Sequence, residues 1–60
     1  HSMYSKALQW MKDNVNVNDD AFDLAANCCS DLNLWEEDYS IPYWVSKMAE
    51  KLFDPLLTIG

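Results

Sequence analysis

Arginine is absent from this chain, histidine occurs once, at position 1, and the single glycine is the last residue, Gly60. Each absence closes a route. Nucleic-acid phosphates are bound by basic stripes, and here four lysines face ten acids for a formal net charge of −6, which argues against nucleic acid as a direct ligand. With no internal glycine and no Asn-Gly or Asp-Gly pair, two-residue hairpins lack the residues that accept positive φ, which argues against a β-rich fold. No apolar run approaches the ~20 residues that span a bilayer, and no basic segment precedes an apolar one as in a signal peptide. The expectation is a cytoplasmic protein with no membrane contact.

Cysteine is nearly absent too. Cys28 and Cys29 are adjacent, and neighbours on a helix point about 100° apart, a geometry that does not suit a disulfide. They read as two small buried or half-buried thiols typical of a reducing compartment, with an intermolecular disulfide as the minor alternative. No further ligands stand at metal-binding spacing, and no glycine loop cradles a phosphate, so neither metal nor cofactor is expected. His1-Ser2 ahead of Met3 reads as a tag remnant (1–2), which removes the histidine from any functional argument and leaves 3–60 as a single helical domain. The apolar ending at Ile59-Gly60 is also compatible with a domain cut from a longer protein.

What remains is grease in helical register. Half of the 60 residues are hydrophobic and eight are aromatic. A chain this short buries only about 60% of its unfolded surface, so such a surplus makes either an unusually dense core or an apolar surface for a partner. Tyr4, Ala7, Leu8 and Met11 follow i, i+3, i+4, i+7 behind a capping Ser2, giving a first helix over 3–13. Asn14-Val-Asn-Val-Asn18 breaks that pattern and reads as a loop. Asn18 is the expected N-cap of a second helix over 19–32, with Asp19, Asp20 and Asp23 near its positive end and Val17 and Phe22 as a hydrophobic staple. Phe22, Ala25, Cys29 and Leu32 form its main stripe, with Ala21, Leu24 and Cys28 beside it. Asn33 is expected to take the left-handed position that ends the helix, with Leu34 making the accompanying apolar contact.

The third helix, 42–53, organises the rest. Ile41, Val45, Met48, Ala49 and Leu52 share one face, Ser40 or Ile41 stands at the N-cap with Pro42 just inside, and Asp54-Pro55 stops the run. The segment after Pro55 could form a short C-terminal turn or fourth helix. Three amphipathic helices joined by short connections predict an all-α, small three-helix bundle or a similar orthogonal array.

Function is less legible. Read from either Asp13 or Asn14, the asparagine-rich loop fails as a calcium loop, because apolar residues or Asp19 fall where ligands or the glycine belong. Glu36, Glu37 and Asp38 are too exposed and too close together for tuned acid–base work, and Cys28 has no base to activate it, so the chain is read as no enzyme. A helix-turn-helix is excluded by the roughly seven residues between the second and third helices, where that motif uses three or four.

Charge is the informative surface feature. Asp19, Asp20, Asp23, Asp31, Glu36, Glu37 and Asp38 lie between Asn18 and Ser46 without a single cation. This acidic patch either keeps a greasy mini-protein soluble or attracts a basic partner. Tyrosine and tryptophan dominate interface hot spots. At least two of Trp10, Trp35, Tyr39, Tyr43 and Trp44, foremost Tyr43 and Trp44, are therefore expected outside the core, whereas Trp35 is expected to fold back on it. The reading is a protein–protein interaction module, an adaptor or small inhibitor, using Trp35, Tyr39, Tyr43 and Trp44 against another protein that is basic or offers an apolar groove. Self-association through the same surface stays open. The alternative is an acidic DNA mimic that occupies a nucleic-acid-binding protein.

Overall fold

The computed structural model describes residues 2–53 and contains three helices: α1 (Met3–Asn14), α2 (Ala21–Leu32) and α3 (Tyr43–Phe53). Single 3-10 turns at Val15–Val17 and Glu37–Tyr39 lie in the two connections, and no strand occurs among the described residues. This is the compact all-α architecture that the three amphipathic stripes predict. The Asp54-Pro55 stop and the fourth helix after Pro55 lie outside the described residues.

α1 starts as expected, with the Ser5 amide donating to Ser2 Oγ at 3.2 Å. The asparagine-rich stretch is more ordered than a loop. Asn14 Nδ2 donates to the Trp10 carbonyl and Asn18 Nδ2 to the Asn14 carbonyl, each at 2.8 Å. Each asparagine thus donates from its side chain to the carbonyl four residues earlier, tying the connection to the end of α1.

The start of α2 differs from the sequence reading. Asn18 Oδ1 accepts from the Asn27 side chain at 2.6 Å, a contact between side chains and not a helix cap. Asp20 caps the helix instead, extended at φ −154° and accepting the Asp23 amide at 2.8 Å. Moving the cap by two residues moves the staple positions as well. Val17 and Phe22 are consequently 79% and 69% exposed, and no staple forms. The far end of α2 closes as predicted: Asn33 is left-handed (φ 57°, ψ 54°), and its amide and that of Leu34 converge on the Cys29 carbonyl, the latter at 2.9 Å. At α3, the Pro42 carbonyl accepts from the Val45 and Ser46 amides at 3.1 Å each, so Pro42 precedes the first helical residue where it was expected just inside.

The core explains how so short a chain closes. Ala7 and Met11 from α1, Leu24, Ala25, Cys28 and Cys29 from α2, and Val45, Met48 and Ala49 from α3 are buried. Five of these nine are alanine or cysteine, so the helix axes can come together closely. Met11, Leu24, Val45 and Met48 supply the bulk, each contributing about 1.5–3 kcal/mol on burial. Trp10, Trp35, Trp44 and Phe53 pack around this small centre while remaining partly exposed. The large rings therefore form the wall of the bundle and the small residues its middle. α2 packs most extensively on α3.

Candidate functional site

The connection between α2 and α3 presents the first pole of the surface. Asp38 and Tyr39 both have positive φ, 59° and 60°, a pairing that asparagine and glycine normally supply in a tight turn. Four short bonds hold them there. The Glu36 amide donates to the Ser40 carbonyl at 2.9 Å, the Tyr39 amide to the Glu36 carbonyl at 3.0 Å, and the Ser40 amide to the Glu37 carbonyl at 3.3 Å. Ser40 Oγ also donates to the Glu37 carbonyl at 2.6 Å. The consequence is a fixed tip that leaves Tyr39 81% exposed directly after Glu36, Glu37 and Asp38, themselves all exposed.

Tyr43, in the first turn of α3, is 73% exposed, and the Lys47 ammonium lies 5.3 Å from its ring centroid. Lys47 also pairs with Glu50 at 3.4 Å. The Glu50 carboxylate, followed by Tyr43, holds the Lys47 ammonium above its ordinary pKa. One outer strip of α3 thus carries Tyr43, Lys47 and Glu50 in succession, spaced three or four residues apart.

The other two expected contact residues are placed differently. Trp44 is half-buried, its ring stacked on Tyr4 at 5.7 Å with 24° between the planes. It links α1 to α3 and is only partly exposed, where a fully outward ring was expected, because it packs on the core and stacks on Tyr4. Trp35 folds back on the core, as predicted. The structure therefore leaves Tyr39 and Tyr43 outward and turns Trp35 and Trp44 to packing.

The seven acids do not form one patch. Asp20 and Asp31 are about 16 Å apart along α2 at 1.5 Å per residue, roughly twice the physiological Debye length of about 8 Å. Two of the acids also hold the fold: Asp20 caps α2, and Asp31 accepts the Trp10 indole N–H at 2.6 Å, tying α1 to α2. Asp19, Asp20 and Asp23 gather at one end of α2, Asp31 and Glu36 to Asp38 at and beyond the other.

Phe22 was assigned to the core stripe by sequence and belongs to the surface. It lines a cleft of about 120 Å³ with Ala21, Ser46 and Glu50. The signal for this was present. Ala21, Leu24, Ala25, Cys28, Cys29 and Leu32 fill every i, i+3, i+4, i+7, i+8 and i+11 position, a fuller stripe than the four residues that include Phe22.

Cys28 and Cys29 are both sealed, at 0% exposure, and the Cys28 thiol donates weakly to the Ala7 carbonyl at 4.0 Å. Burial, then the neighbouring Cys29 and Asp31, pushes the Cys28 thiol up to about 11, and burial, then Glu36, raises Cys29. Thiols held protonated in this way are poor nucleophiles. Among the described residues no three His, Cys, Asp or Glu side chains come together as a metal site, and no helix is long and apolar enough to cross a membrane. Comparison with protein-family models, with curated proteins and with solved structures gives no match.

Proposed function

We propose that this protein is a non-enzymatic interaction module, an adaptor or small inhibitor, that docks a basic protein through Tyr39 and Tyr43. The observation carrying this reading is their exposure, 81% and 73%, within five residues of chain that also hold or adjoin the exposed Glu36, Glu37 and Asp38. A tyrosine offers large contact area at low entropic cost, and a backbone already fixed by four hydrogen bonds gives up little further freedom on binding. The surrounding carboxylates speed encounter with a cationic partner. Mimicry of DNA draws less support, because the acids stand in two groups and two of them are committed to holding the fold.

The test is affinity capture from the native host with three baits: the parent protein, Tyr39→Ala/Tyr43→Ala, and Asp23→Asn. Basic proteins retained by the parent and by Asp23→Asn, but lost from the double variant, are the expected result. Retention of the same proteins by all three baits would remove the two tyrosines from the interface and defeat the reading.

A further inference from the structure

We propose that the cleft between the start of α2 and the middle of α3 receives one arginine side chain of the basic partner, with its guanidinium plane against Phe22 and its charge on Glu50. This rests on the docking reading above and extends that surface to a second pole. Four observations converge on it. Phe22 is 69% exposed where a phenylalanine of a small bundle would ordinarily be covered, and it forms one wall of the 120 Å³ cleft. Glu50 and Ser46 form the facing wall, so an apolar ring, a carboxylate and a hydroxyl meet in one concavity. The outer side of the same helix already holds a cation by this pairing, since Lys47 lies between the Tyr43 ring at 5.3 Å and the Glu50 carboxylate at 3.4 Å. Finally, the cleft is continuous with the proposed surface, because Ser46 stands one turn beyond Tyr43 and Glu50 one turn beyond Ser46.

Charge selects the occupant. Glu50 lines the cleft and pairs through Oε1 with Lys47, and Asp19, Asp20 and Asp23 flank Ala21 and Phe22 in the chain, against Lys47 and Lys51 beside Glu50. The net local charge is negative, and a second copy of a chain at −6 would bring like charge to like. A cationic side chain fits where a second copy does not. Arginine is favoured over lysine because its flat guanidinium stacks on an aromatic face while still donating to a carboxylate.

The probe is the blocked tripeptide acetyl-Ala-Arg-Ala-amide, titrated into ¹⁵N-labelled full-length protein, with its citrulline counterpart as the uncharged control. The expected result is a saturable shift of the Phe22, Ser46 and Glu50 amides with the arginine peptide alone. The apparent affinity should fall about two- to fivefold in Glu50→Gln and in Phe22→Ala. Both residues are solvent-exposed, and unchanged dispersion of the remaining amides verifies that the variants stay folded. Equal shifts with citrulline, shifts spread over all the acidic residues, or no saturable shift would overturn the proposal. Concentration-dependent shifts of the same amides without peptide would assign the face to a second copy and overturn it too. The two readings fail separately. Loss of the arginine effect with tyrosine-dependent capture intact removes only the cleft, whereas capture indifferent to Tyr39 and Tyr43 removes the docking surface itself.

Discussion

Replacing Tyr39 by glycine should make this protein more stable, although it deletes a large aromatic side chain. The left-handed region costs an L-residue roughly 1–2 kcal/mol, because Cβ crowds the following carbonyl, and glycine escapes that cost. Against this, glycine has more freedom to lose from the unfolded chain, worth about 0.4–1 kcal/mol. Tyr39 sits at φ 60° and is 81% exposed, so the substitution sacrifices almost no burial. The net expectation is a gain of about 0.5–1 kcal/mol, or roughly 4–8 °C in Tm for a domain of this size. Tyr39→Ala is the necessary companion. It removes the same ring but keeps Cβ, so its stability should stay within about 0.5 kcal/mol of the parent. Urea unfolding followed by circular dichroism gives both midpoints, and an unchanged m-value verifies that the comparison is one of stability alone. If Tyr39→Gly is no more stable than Tyr39→Ala, the backbone at this tip is not strained. The presentation of Tyr39 by a costly turn then falls with it. If the gain appears together with weaker partner capture, stability has been given up for display at this tip, as strained functional positions often require.

Two further outcomes follow from the hydrogen bonds and the buried thiols. Asp20→Ala should cost about 1 kcal/mol through loss of the α2 cap, and Asp20→Ser should recover most of it. An Asp20→Ala midpoint equal to the parent's would return the cap to Asn18. For Cys28, the folded thiol titrates near 11 against an ordinary value of 9.0, so as pH rises the unfolded chain gives up its proton first. The associated stability is complete below pH 9 and is lost as the pH climbs toward 11, by on the order of 2 kcal/mol. Urea midpoints at pH 8 and pH 10.5 should therefore separate more in the parent than in Cys28→Ala. Equal separations would place the thiol in contact with solvent.

Hydrophobic periodicity by itself determined that this chain is three helices with no strand among the described residues, because an apolar stripe at helical spacing can be buried in only one backbone form. Capping preference placed Ser2 and Asn33 at their helix ends, where the decisive interaction is with a backbone amide or carbonyl a few residues away. The cap of α2 was lost for the opposite reason. Asn18 has every local property of a cap, but its oxygen meets Asn27, nine residues along, and Asp20 caps the helix. Which rings stand outward was half legible on the same principle. Tyr39 and Tyr43 could be singled out by type, yet Trp44 was covered by Tyr4 from a different helix, and Phe22 was released by a stripe of smaller residues. Which rings face water is settled by how three helices meet, since a residue's own neighbours fix its backbone while only distant ones can bury its side chain.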